Sequence, residues 1–442
     1  MADKEKKSGS FINIRAFASA IIVIAVLMAA TYILTLVTPC EGISFIKWIA
    51  SPLLVLGAEG SATLIAVLIF LLVIGGIFNS LDKRGILRYM LDRLTSRYGA
   101  KRYTLMAVIV LFFMSLGSLI GSFEECVPLV PIVVALSVRL GWDAIIGLGM
   151  SLLAVGCGFA AGVFNPFTVG IAQELAGLPM FSGWWFRSIG FVLIYLLLMA
   201  FLRARARAVD TGVTDFSESS FTADKKMDRA VILFASILGA GLLLVMLSAV
   251  ITALQDYTLI IVAVMFLAAG TVSCFAGGMS AKEYGKGMLD GVVSMLPAIL
   301  MILMASSIKY TLQESGALTL LVDRAMEAAE FFPRWAVILF VYLIVLVLNF
   351  FIPSGSAKAI MLIPIIVPLA EKFNISAQLC IVAYAFGDGF SNVFYPTNPA
   401  LLIALSLVEV KYTDWFKWSR KFQFANLILT SLLLLSGLMI GI

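Results

Sequence analysis

The chain has 442 residues, 62% of them hydrophobic and only 13% charged, with a formal net charge of +5. That apolar fraction is well above the range of soluble domains, and the modest positive charge suits basic loops beside a membrane better than a nucleic-acid surface. Histidine is absent, which excludes an HExxH zinc site and a Ser-His triad and leaves any proton coupling to carboxylates or lysine.

Apolar stretches of roughly 20 residues, the length that crosses a bilayer core as a helix, recur from Ala16 onward. The opening MADKEKKSGS is too polar for a secretory signal, so the first apolar segment is expected to remain as a span. Basic residues gather at Lys4 to Lys7, in DKRGILRYMLDRLTSRYGAKR (82–102), in RARARA (203–208) with DKKMDR (224–229), and in KYTDWFKWSRK (411–421). The positive-inside rule places all four in the cytoplasm, and the N-terminus with them. Spans are then expected at 16–38, outward, and 61–80, inward. The 82–102 stretch reads as an interfacial helix, with Ile86, Leu87, Met90, Leu91 and Leu94 at helical spacing. Trp184, Trp185, Trp415 and Trp418 read as interfacial anchors. The five cysteines show no CxxC pattern and read as buried free thiols.

Two segments do not read as ordinary spans. The apolar run 104–140 is interrupted at GSFEECVP (121–128), and the run 335–373 at PSGSAKA (353–359). Each has an apolar limb, a small polar turn and a second limb, which fits a re-entrant helical hairpin, tolerated only where protein or a watery cavity shields the backbone. The basic ends of the first hairpin, Arg102 and Arg139, place its entry inside, and the topology stays consistent only if the second enters from outside, after a span near 292–312 and an amphipathic stretch at 318–331. An offset of 233 positions superposes them without a gap: Pro131 falls on Pro364, Gly156 on Gly389, and Asn165-Pro166 on Asn398-Pro399. The expected fold is therefore an all-α polytopic membrane protein of about nine spans and two hairpins, arranged as two inverted repeats. The first repeat is 1–205, with hairpin 104–140 and broken span 144–180. A cytoplasmic linker, 206–228, and a connecting span, 229–253, precede the second repeat, 254–442, with hairpin 335–373 and broken span 377–408.

The Asn-Pro pairs should unwind their spans, because proline lacks an amide donor and disfavours helix in the residue before it. Carbonyls freed there, with Asn165, Asn398, Thr397 and Ser356, suit a small cation such as Na⁺, while asparagine amides suit a substrate. At the hairpin tips, Ser122 and Ser354, Gly355, Ser356 precede a helix N-terminus, where free amides favour a carboxylate; the same residues also fit simple N-capping. Glu124, Glu125, Lys358 and Asp388 are ionisable groups inside apolar segments, where a charge costs about 2.5–3.5 kcal/mol. They must face one another or a cavity. Pairing of Lys358 with a glutamate competes with a role for both on substrate. Asn392 and Thr397 complete the candidate substrate set.

FIPSGSAKA followed by FGDGFSNVFYPTNP closely resembles the second-half signature of YfcC/DcuC-like carriers of the ion transporter superfamily, and SFEECVP with GVFNPF resembles the first half. The resemblance implies a scaffold domain and a transport domain that move as an elevator, often in a homodimer. It also implies C4-dicarboxylates or basic amino acids as substrates. With two glutamates and an aspartate near one lysine, an amino acid is favoured over a C4-dicarboxylate. The expected function is secondary active transport across a bacterial-type cytoplasmic membrane, with Na⁺, H⁺ or exchange as the coupling and no other cofactor. An intramembrane aspartyl enzyme would need a second facing aspartate, and a channel would not need mobile halves.

Overall fold

The computed structural model describes residues 14–58, 61–98, 101–119, 121, 123–210, 224–248, 258–329 and 331–442. The basic N-terminus, Ser122, most of the linker 206–228 and the end of the connecting span 229–253 lie outside them. Every regular element among the described residues is helical. Seven helical segments are long and apolar enough to cross a membrane: 64–84, 102–119, 144–175, 184–208, 281–314, 334–351 and 412–440. Shorter apolar helices occupy 24–37, 45–57, 126–139 and 260–276. The Phe45–Leu54 helix lies outside the spans expected from the sequence; Ser44 starts it, its Oγ accepting the Lys47 amide at 3.3 Å.

Two groups of helices pack chiefly among themselves. In the first, Ser61–Arg84 runs against Ala281–Glu314, with Ile14–Val37, Lys225–Ser248 and Thr258–Ala276 around them. Small residues let this central pair approach, since without a hydrophobic drive in lipid close packing must hold helices together. A Cβ on Gly75 or Gly291 would strike the opposite helix. Asn79 Nδ2 donates to the Gly287 carbonyl at 2.6 Å, and Lys83 pairs with Asp290 at 2.5 Å.

The second group holds both interrupted segments and both broken spans. The first hairpin comprises Arg102–Leu119, a tight turn of helix at Glu124–Leu129, and Val130–Arg139; the second comprises Arg334–Phe351 and Gly355–Lys372. The broken spans run as Ala144–Leu148 to Ala154–Ala161, then Pro166–Gly170 and Ile171–Leu175, and as Ala377–Asn392, then Pro399–Leu407. The limbs before each break cross antiparallel, Gly156 against Val393 and Gly389 against Ala160. The midpoints of this crossing are residues 158 and 391, themselves 233 apart, the offset read from the sequence. A Cβ on Gly389 would overlap the backbone of Ala160, and one on Gly156 would meet Val393 Cγ1 at 2.5 Å. Gly389→Val is therefore expected to destabilise the protein by about 1–3 kcal/mol through overpacking, read as a lower unfolding midpoint in detergent; an unchanged midpoint would refute this close crossing.

Candidate substrate site

At each break the asparagine and proline act together to restart the helix. Asn165 is extended (φ −67°, ψ 111°), and its Oδ1 accepts the Phe167 and Thr168 amides at 3.0 and 3.2 Å. Asn398 is likewise extended (φ −83°, ψ 119°), accepting from Ala400 and Leu401 at 2.9 and 3.3 Å. The two pairs of amides are again 233 apart. An Asx N-cap followed by proline at the first helical position satisfies donors that the break would orphan.

The carbonyls expected to be free at the breaks are largely taken. Arg187 is wholly buried and donates from Nε to Gly162 O (2.9 Å), from Nη2 to Val163 O (3.0 Å) and Phe181 O (3.2 Å), and from Nη1 to Ser182 O (2.8 Å). Its charge lies at the C-terminal end of the Ala154–Ala161 limb, where the helix dipole favours a cation. At the second break Trp415 Nε1 donates to Val393 O (2.8 Å) and Tyr412 Oη to Phe394 O (3.0 Å). Trp415 is thus not the interfacial anchor that its sequence context suggested: it is fully buried, with its indole N–H bonded inside. Trp184 and Trp185 remain about half exposed.

The hairpin tips meet these breaks. Gly121 (φ +75°) sits against Asn165 and Phe167. Ser118, one turn earlier, accepts Val163 N at Oγ (3.1 Å) and Phe164 N at its carbonyl (3.0 Å). At the second tip Ser354 caps its helix, its Oγ accepting Ala357 N at 3.4 Å, and is itself exposed; Ser356 is half-buried. A Cβ on Gly355 would stand 2.7 Å from both Asp388 Oδ2 and Thr168 Cγ2, so this tip touches both broken spans. Tyr384 donates its hydroxyl to the Gly355 carbonyl. The second limb of each hairpin packs on the restarted limb of the opposite broken span: Gly355–Lys372 on 166–175, and 124–139 on Pro399–Leu407.

Lys358 and Asp388 are both fully buried and pair with each other, Nζ to Oδ1 at 2.6 Å. The sequence had weighed a glutamate as the lysine's partner. Lys358 also donates to Ile352 O at 3.2 Å and to Asn349 Oδ1. Asn349 Nδ2 in turn faces Asp388 O (3.0 Å), Ser391 Oγ (2.7 Å) and Asn392 Oδ1 (2.9 Å), and Asn392 Oδ1 accepts Asn398 Nδ2 at 3.0 Å. One network thereby runs from the second hairpin to the second break. Glu124 is half-buried and near enough to Asp388 for the carboxylates to repel. None of the ion pairs found among the described residues involves it. The side chain of Glu125 lies outside the described residues. Four buried polar atoms at the breaks and tips have no hydrogen-bond partner: Asn165 Nδ2, Thr168 Oγ1, Asp388 Oδ2 and Thr397 Oγ1. Buried polar groups left open in this way usually await a ligand, ion or water.

Residues 50–439 match the family model described as DcuC, C4-dicarboxylate anaerobic carrier. The chain belongs to the DcuC family. It is 26% identical over 400 residues to YfcC of Escherichia coli (strain K12), a protein provisionally named a basic amino acid antiporter, covering 86% of this chain and 78% of that one. An uncharacterized protein of Haemophilus influenzae is 24% identical over 390 residues, covering 85% of this chain and 76% of its own. Among solved structures, the YdaH transporter of Alcanivorax borkumensis aligns over 96% of this chain and 98% of its own at 19% identity, with a TM-score of 0.46. MtrF of Neisseria gonorrhoeae, from a class of antimetabolite efflux pumps, aligns over 95% and 94% at 16% identity, with a TM-score of 0.43. This DcuC-family protein is a multi-pass membrane transporter. Within it Arg187 and Asn349 carry contacts that no sequence motif marks. Replacing Arg187 by Met is expected to cost about 3 kcal/mol or more, since two buried and two part-buried carbonyls lose a charged donor. Arg187→Lys should recover only part of that, as an ammonium lacks the guanidinium's fork. Unfolding midpoints of the two variants equal to the parent's would refute this role.

Proposed function

We propose that this transporter is a secondary active carrier for a basic amino acid, working by movement of the second helix group against the first. The carrying observation is where the charges stand. The Lys358 ammonium is spent inside the protein on Asp388, Asn349 and Ile352, while Glu124 has no ion-pair partner among the described residues and Asp388 Oδ2 has no donor. A dianion would meet repulsion there; a substrate ammonium or guanidinium would relieve it. The substrate's own carboxylate has donors at hand: Asn165 Nδ2, Thr168 Oγ1 and the free amides at the start of the Gly355–Lys372 helix. The name carried by the E. coli relative agrees with this reading.

Support for an elevator comes from the packing. The scaffold group centres on Ser61–Arg84 with Ala281–Glu314, whereas the hairpins and broken spans interlock and would travel together. On this reading the crossing at 158 and 391 lies on the axis relating two inverted repeats. A second reading, a C4-dicarboxylate carrier, is favoured by the family description; it requires Glu124 to be protonated or a coupling cation to sit beside it.

Uptake into proteoliposomes decides between the two. Labelled arginine or lysine is expected to enter at least about 10-fold faster than succinate or fumarate. Glu124→Gln should lower that uptake by about 10-fold or more, the cost of one lost charged contact, with the unfolding midpoint retained. Succinate entry without arginine entry would overturn the proposal.

A further inference from the structure

Lys358 Nζ is held by three oxygens of the kinds an alkali cation also takes. Three oxygens from two elements converge on it: a carboxylate oxygen of Asp388 on a broken span, an amide oxygen of Asn349 on the first limb of the hairpin, and the Ile352 carbonyl where that limb ends. Hard oxygen ligands of mixed carboxylate, amide and carbonyl type are what a small hard cation takes. The side chain that delivers the ammonium starts one turn into the Gly355–Lys372 helix and is wholly buried. At the same offset in the first repeat none of these groups recurs: Lys358 falls on Glu125, Asp388 on Val155 and Asn349 on Leu116. The backbone around them is nonetheless repeated, down to the Asn caps. The second half carries the lysine, the aspartate and the asparagine together, and the first half has none of these three side chains at the matching positions.

We infer that the Lys358 ammonium is a tethered cation filling an alkali-cation site built by Asn349, Ile352 and Asp388, so that this site takes up no dissociable coupling ion. A covalently held charge stays through every turnover, neutralising Asp388 at membrane depth whether or not substrate is present. It also binds the hairpin to the broken span, since Lys358 rides on one and Asp388 on the other. The inference concerns the protein without substrate and holds whichever substrate the site carries.

Removing the tether should leave the site open to a free cation. Purified full-length Lys358→Ala is compared with the parent by thermal unfolding in NaCl, KCl, NH₄Cl or choline chloride, each at about 150 mM so that screening is constant. The variant is expected to unfold about 3–6 °C higher in at least one of the small cations than in choline, as mass action at a newly opened site predicts. The parent should show a smaller response to the same cation, and the double variant Lys358→Ala, Asp388→Asn should lose the gain. A variant whose cation response does not exceed the parent's overturns the inference. Should Lys358→Ala not yield folded protein in choline, its monodisperse fraction after purification in each salt becomes the readout. Recovery in a small cation supports the tethered-cation site, and equal failure in all four salts overturns it. No step measures transport, so failure here leaves the substrate proposal standing and failure of that proposal leaves this one.

Discussion

The structure depends on one constraint: a helix broken at membrane depth must satisfy its own backbone without water. Each break is closed on its downstream side by an asparagine oxygen accepting two amides, and on its upstream side by a donor brought from a following helix. Those upstream donors differ in kind. The first break uses a guanidinium reaching four carbonyls; the second uses an indole and a phenol reaching two. Backbone symmetry therefore does not demand side-chain symmetry. It demands only that the backbone groups freed at a break find partners, and the two halves supply those by different residues.

The same contrast governs the charges. Around a nearly repeated frame, the second half carries a neutral ion pair with its amide network, while the first half has the Glu124 carboxylate beside its tip. A buried pair is weak as a source of stability, because desolvating both ions offsets most of their attraction. Its value here is geometric. Lys358 can reach Asp388 only when the Gly355–Lys372 limb is seated on the broken span, so the pair fixes the tip's position, and Asn349 relays that position to Asn392 and Asn398.

How much of this was legible in the sequence follows from the range of each interaction. The breaks were legible because Asn-Pro acts on its own backbone, two or three residues away. The hairpin tips were legible for the same reason, through Gly and Ser at an interruption in an apolar run. The partner of Lys358 was not, since Asp388 lies 30 residues on and competes with Glu124 and Glu125 for the same lysine. Arg187 stood in WWFRSIGFVL as one basic residue near the end of a span, where snorkelling and burial leave the same trace. Asn349, inside LVLNFFIP, offered a lone polar residue with no periodic partner. Trp415 was misread because interfacial and buried tryptophans both sit near basic residues in a one-dimensional string.

The exchange of limbs sets a limit on how such a carrier can move. Because each hairpin's second limb packs on the opposite broken span, neither half can travel without carrying part of the other. In the proposed elevator the hairpins and broken spans must therefore shift as a single body, and access to the site must come from the tips alone. The two tips are not equally held. The first is tied through Ser118 to the loop after the Ala154–Ala161 limb, with Gly121 against Asn165. The second is tied by Tyr384 to the Gly355 carbonyl and one turn later by the buried lysine, while Ser354 stands exposed. The lysine tether therefore lies one turn behind the second tip, where Gly355 packs against both Thr168 and Asp388 Oδ2 and so joins the two broken spans.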